Sequence, residues 1–169
     1  MSRRQLRVGD VFTLPINEEA LGVGQVVGLH GNDAYFFAVF ADPAPPDLSA
    51  DDLVSRATGP VLFLALSFDA LVHVGEWKVV GSAAVDHDIP LPAYKEEVGT
   101  RGDFHVVDHS GQRRRPATAD EVQQLSYRKL VAPIRVGRAL RASHGLEPWL
   151  DAFDSLRVDE KSAEKRFFD

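Results

Sequence analysis

Asp103, His105 and His109 come closest, by type and spacing, to a catalytic set in this chain. Alternate residues of an extended strand share a face. A straight strand through this stretch would therefore offer two imidazoles and a carboxylate to one divalent ion with open positions, the core of a small metal-dependent enzyme. His109, however, begins His109-Ser110-Gly111, where the pattern calls for a turn, so the register is expected to fail there. The expectation is polar residues on the solvated face of a half-buried strand, with no metal and no catalytic residue. Asp86-His87-Asp88 stands in a loop ahead of Pro90 and reads as solvated. Gly22-Val23-Gly24 followed by Gly28 misses the dinucleotide-binding spacing by one residue and lies inside a strand rather than between a strand and a helix. Arg113-Arg114-Arg115 alternate faces in a strand, which suits an edge that resists strand addition better than a phosphate site. GxxxxGK(S/T), HExxH and GxSxG do not occur, and the chain has no cysteine, which removes thiolate nucleophiles, disulfides and cysteine-held metals together. No cofactor is expected.

The elements that would position these residues follow from period and punctuation. Val8 to Pro15, Leu21 to Val27 and Tyr35 to Phe40 read as three short strands with tight connections. Alternation puts Leu21, Val23, Gln25, Val27 and Leu29 on one face of the second strand. Gly22, Gly24, Val26 and Gly28 fall on the other, a nearly bare face that invites a backbone or an aromatic ring. The prolines of Ala41 to Leu48 forbid helix and central strand alike, so this is a loop. Ser49 with Asp52 caps a short helix to about Ala57, stopped by Gly59 and Pro60. Val61 to Leu66 and Trp77 to Gly81 read as strands, with Trp77 in the core. Ile89 to Pro92 is an extended linker, and Phe104 to Arg115 a hairpin turning at Gly111. Thr118-Ala119-Asp120-Glu121 is a capping box ahead of Val122, Leu125 and Leu130 at helical spacing. Pro133 opens a second helix that Gly145 ends, and Pro148 to Leu156 reads as a third, short amphipathic one. Strands first and helices last predict an α+β class: a strongly bent, mostly antiparallel sheet from the N-terminal two-thirds, with two or three C-terminal helices on one face or end. One domain is expected over 1–157, followed by a charged, frayed tail over 158–169.

Charge is unevenly distributed. Residues 1–9 carry three Arg and no acid, residues 10–100 carry fourteen Asp/Glu against three Lys/Arg, and residues 101–169 carry thirteen Lys/Arg against eleven acids. The strand-rich part is thus the acidic one, which argues against nucleic acid as a partner and suits a basic protein. No apolar run reaches the ~20 residues that span a bilayer, so a cytoplasmic protein without a membrane partner is expected.

Taken in order, Val8-Gly9-Asp10-Val11-Phe12, Gly22-Val23-Gly24-Gln25-Val26, Tyr35-Phe36-Phe37, Pro60-Val61-Leu62-Phe63, Trp77-Lys78-Val79-Val80-Gly81, Asp108-His109-Ser110-Gly111 and Arg115-Pro116-Ala117-Thr118 resemble the immunity protein 26 family of bacterial toxin–immunity systems over about residues 7–145. The helical extension after Gly145, the tail and the Pro-rich loop depart from that pattern. The resemblance implies a non-enzymatic cytoplasmic protein that binds and neutralises a cognate toxin, most simply by blocking its active site. A nuclease toxin, whose active site would be basic, is preferred because the strand-rich part is acidic. Asp42, Asp47, Asp51 and Asp52, in or beside the Pro-rich loop, are the candidate toxin-facing residues. The alternatives are the metal-dependent enzyme built on Asp103, His105 and His109, and a general protein-interaction module.

Overall fold

Phe12 and Leu14 sit directly opposite Gly24 and Gly22 in the first antiparallel pair, so each bulky side chain meets a position with none. A computed structural model describes residues 4–168 of the protein. Met1 to Arg3 and Asp169, the ends of the basic N-terminal stretch and of the charged tail, lie outside the described residues. The elements are β1 (Asp10–Pro15), β2 (Leu21–His30), β3 (Ala34–Phe40), α1 (Ala50–Ser55), β4 (Val61–Ser67), α2 (Ala70–His73), β5 (Lys78–Ser82), β6 (Tyr94–Val98), β7 (Asp103–Val107), β8 (Arg114–Pro116), α3 (Ala119–Gln124) and α4 (Pro133–Ser143). The strands form two antiparallel sheets, one ordered β4-β3-β2-β1-β5 and one ordered β6-β7-β8. Neither closes on itself, and the class is α+β as expected.

The main core lies on the bare face of β2. A Cβ on Gly24 would lie under 3.0 Å from the ring of Phe12, and one on Gly22 would lie under 3.0 Å from the end of the Leu140 side chain of α4, both too close to fit without movement. That clearance lets Phe12 stack flat on Trp77 at 5.1 Å between centroids and meet Phe37 edge-on at 5.2 Å. Val136, Ala139 and Leu140 stand at i, i+3 and i+4 on α4, so one stripe of that helix closes over the same face. On the opposite face Val11, Val23, Phe40, Ala44 and Leu53 form a smaller cluster under α1, where Val54 occupies the space that a Gly81 side chain would need. Gln25 lies fully buried among apolar neighbours because its Nε2 donates to the carbonyls of Gly9 (3.3 Å) and Ala83 (2.9 Å).

Straight alternation along β2 holds only to Val26. The β2–β3 register shifts between Val26 and Gly28, so Leu29 packs against the same core as Val26, while Gly28 turns to Phe36 and His109. A bulge inserts one residue and exchanges the faces beyond it. β6 is polar (Tyr-Lys-Glu-Glu-Val) and shows no apolar alternation to mark it as a strand. α3 keeps its capping box, but it ends at Gln124 because Leu125 turns extended and Ser126 spends its carbonyl on the Lys95 N–H of β6. Leu130 is therefore not on a helix. Pro148 to Leu156 gives a 3₁₀ turn over Asp151–Leu156 that buries Phe153 and Leu156. In the stretch expected to fray, two further 3₁₀ turns surround buried Ala163, and the Glu164 N–H is held by the Leu91 carbonyl at 2.8 Å.

The glycine face sets an order of sensitivities. Gly24→Val drives a branched side chain into a ring wedged between two other aromatics, whereas Gly22→Val meets the mobile end of a leucine. Both are expected to overpack the core by roughly 1–3 kcal/mol, with Gly24→Val at the upper end. At about 2–4 °C per kcal/mol for a chain of this size, thermal melts of the two variants check both the loss and its order.

Candidate functional site

Two sets of charged residues stand out once the chain is folded. The first is the connection between β3 and β4. Its prolines keep the stretch before α1 out of helix, with a turn at Pro46 and Asp47, and Ala44 pins it to the sheet by exchanging two 2.8 Å backbone bonds with Leu21. The Ser49 hydroxyl accepts the Asp52 N–H at 3.2 Å and starts α1, whose Leu53 anchors the segment in the core. Asp42, Asp47, Asp51 and Asp52 are all exposed on this pinned scaffold. The Leu21–Ala44 bridge brings Glu18 and Glu19 of the β1–β2 turn to the same end of the sheet, and Glu76 precedes β5, where Lys78 faces Thr13 of β1. Among the described residues, none of these seven carboxylates forms an ion pair. The Arg56 guanidinium is directed to the Pro43 carbonyl at 3.4 Å.

The second set is a carboxylate hub at the end of β7. Asp108 is buried and caps the turn into β8. Its Oδ1 accepts the N–H groups of Gly111 (2.9 Å), Gln112 (3.0 Å) and Arg113 (3.2 Å), and both of its oxygens accept from the Ser110 hydroxyl. Gly111 has φ +84°, the left-handed geometry this turn requires. Glu164, 55 residues away, accepts both the backbone N–H (2.9 Å) and Nδ1 (2.8 Å) of His109 through one oxygen. The Arg113 guanidinium touches Asp108 at 3.3 Å and Glu164 at 3.8 Å. Arg128 donates to the His109 and Asp108 carbonyls at 2.6 and 3.0 Å, and its guanidinium lies 4.4 Å over the Tyr94 ring. The His109 ring meets Phe36 edge-on at 5.5 Å, so the hub also joins the two sheets. Burial pushes the Tyr94 phenol up to about 12. Burial also raises the Asp108 carboxyl, but the bonds from Ser110 and Arg113 and the nearness of His109 outweigh it and hold the group below the usual carboxylate range.

The Asp103, His105 and His109 set is not assembled. Asp103 is exposed at the start of β7, His105 sits mid-strand opposite Glu96 and Pro116, and His109 has turned away to Glu164. Among the described residues, Asp108, His109 and Glu164 are the group whose potential ligand atoms converge, within 4.8 Å of one another. The Asp108 and Glu164 carboxylates already accept from N–H and O–H donors and His109 turns Nδ1 to Glu164, which makes the group a cross-link between segments. Arg113 and Arg115 likewise hold carboxylates of this region, Arg115 by donating two hydrogen bonds to Glu121 at 2.9 and 2.6 Å. That contact, with the Thr118 capping box, lowers the Glu121 carboxyl to about 2. An aspartate three residues before a glycine is a turn signal that reveals the capping role of Asp108. Glu164 carries no local signal at all.

The hub makes stability acid-sensitive. A carboxyl whose folded-state pKa is depressed contributes stability that is complete above its unfolded value, about 3.9, and is lost as pH falls through the folded value. Asp108→Asn is therefore expected to cost roughly 1–3 kcal/mol at neutral pH, because an amide satisfies fewer of the turn donors. It should also flatten the fall in melting temperature below about pH 4. Thermal melts of both proteins from pH 7 to pH 2 check this.

No helix among the described residues is long and apolar enough to cross a membrane. Neither a curated protein nor a solved structure matches the chain. A family model described as Immunity protein 26 matches residues 7–112, from the approach to β1 into the Asp108 turn, and so takes in the acidic loop and, of the hub, Asp108 and His109 but not Arg113, Arg128 or Glu164. With well over half its length under that match, the chain belongs to the immunity protein 26 family.

Proposed function

We propose that this protein binds a cognate toxin and neutralises it by covering the toxin's active site, acting as a non-enzymatic inhibitor. The observation that carries the reading furthest is that Glu18, Glu19, Asp42, Asp47 and Glu76 near one end of the five-stranded sheet, and Asp51 and Asp52 on the helix packed against its face, are all exposed and form no ion pair among the described residues. Unpaired like charges on a pinned scaffold raise the local field, and a partner of opposite sign relieves it. A basic nuclease domain fits that field, since a site built to hold phosphates offers cations in a concave surface. Because the Pro-rich loop is tied at Ala44 and Leu53, ordering it on binding costs less than ordering a free loop would. The reading needs complementary charge and shape, not catalytic groups, and is in keeping with the family.

The test uses the product of the neighbouring toxin gene. Asp47→Lys/Asp51→Lys is expected to stay folded and to slow association with that product about tenfold or more at low salt. It should also weaken the dependence of the on-rate on ionic strength. Unchanged on-rates in the folded variant would remove this end of the sheet as the toxin-facing surface.

A further inference from the structure

Residues 158–168 run from the large sheet to the small one. They leave β4 at the Phe63–Arg157 bridge and then lie along the linker that precedes β6. There the Ala93 N–H donates to the Ser162 carbonyl and the Glu164 N–H to the Leu91 carbonyl, both at 2.8 Å. Pro92 and Ala163 therefore face each other as a non-hydrogen-bonded antiparallel pair. Further ties surround this short ladder. The Gln124 amide of α3 donates to the Lys161 carbonyl (3.1 Å), Glu164 holds His109, and Arg115 of β8 donates twice to the Phe167 carbonyl (3.1 Å each). The Arg113 guanidinium lies 4.9 Å over the Phe168 ring.

The small sheet depends on this segment in a way that the large one does not. No strand of β6-β7-β8 pairs with a strand of the five-stranded sheet. The apolar cluster on the small sheet consists of buried Ala93, Val106 and Leu125, and Phe167 and Phe168 pack over it beside Ala117. Three strands are stable only with an apolar face that something covers. The clusters of the large sheet, by contrast, take in no residue after Leu156 among the described residues. The small sheet has three other ties to the large one. They are the segment 126–131, which bonds to Lys95 at one end and to Leu66 at the other, the Phe36–His109 ring contact, and the His30 imidazole at the Ser110 carbonyl (3.3 Å).

We infer that residues 158–168 are a releasable clasp: when they lift, the small sheet and the Asp108 turn loosen together, while the five-stranded sheet with its acidic end stays folded. Proteins open locally in cooperative units, and a unit with a small core and a single short cover opens before a large one. Beyond the Arg157 hinge the clasp is tied to the linker, to the small sheet with its turn and to α3, so the stability lost on lifting is theirs. The clasp lies outside the matched residues 7–112, as an addition to the part of the scaffold that the family model describes.

Native-state hydrogen exchange on the full chain reads the two units separately. The reporters are the amides of Val106 and Val107 in β7 for the small sheet, and those of Val23, Phe37 and Val39 in β2 and β3 for the large one. Ala163→Glu puts a charge at a buried position of the clasp. It is expected to speed exchange in the β7 set at least tenfold and to leave the other set within about twofold. The converse variant locks the clasp. The chain has no cysteine, so Pro92→Cys/Ala163→Cys forms one disulfide, at a pair type whose Cα atoms stand about 4.5 Å apart. Oxidation of that variant is expected to slow the β7 set at least tenfold relative to its reduced form. Equal acceleration of both sets in Ala163→Glu makes the molecule one cooperative unit and overturns the inference. If Ala163→Glu does not fold, the disulfide variant decides alone. A β7 set that oxidation leaves unchanged, or that slows only in step with the other set, overturns it too.

Discussion

The contact between the Phe12 ring and the bare backbone of Gly24 is the constraint on which the rest of this structure depends. Because no side chain rises from Gly24, the ring lies across the neighbouring strand, and Trp77 stacks on its far side. That places the approach to β5 against β1 and gives the sheet its outer strand. The same clearance two residues along the strand, at Gly22, admits Leu140 and sets the height at which α4 rides over the sheet. A methyl group at either position would separate layers that interdigitate at close to crystal density. The apolar floor, the helix above it and the ends of the strands beside them are therefore fixed together.

Where the first constraint builds the large sheet, the Asp108 turn couples the small one to it. The turn spends a buried carboxylate on its own backbone donors, a local device of the kind found wherever a chain must reverse tightly. Its neighbour His109 is pinned from two sides, by Phe36 of the large sheet and by Glu164 of the C-terminal segment. Two sheets and the last residues of the described chain thus meet at one imidazole. The Asp108 and Glu164 oxygens there are held by donors from three segments, which rigidifies the junction.

These constraints leave different surfaces free. Tethering the β3–β4 connection at Ala44 and Leu53 turns a flexible loop into a fixed array of carboxylates. Laying residues 126–131 along β4 protects part of an edge strand and, in doing so, raises a wall beside it. Rigidity in both places lowers the cost of any contact made there, since each ordered side chain is one whose entropy is not lost again on binding.

Much of this was legible in the residues because it depends on neighbours a few positions apart. The three opening strands, the Ser49 and Thr118 caps, the positive-φ turn at Gly111, the Pro133 to Gly145 limits of α4 and the packing role of Gly22 and Gly24 all follow from local hydrogen bonding and period. The unequal division of charge is likewise a property of the sequence alone. Tertiary structure decided where long-range partners outbid those preferences. The bulge at Val26 exchanged the faces of β2, and the demands of β6 and β4 for hydrogen-bond partners drew Leu125 to Val131 out of a helix that their spacing favoured. His109 left the face of Asp103 and His105 for a glutamate 55 residues away. No periodicity records such a pairing, because its free energy comes from burying and satisfying groups that only the completed fold brings within reach.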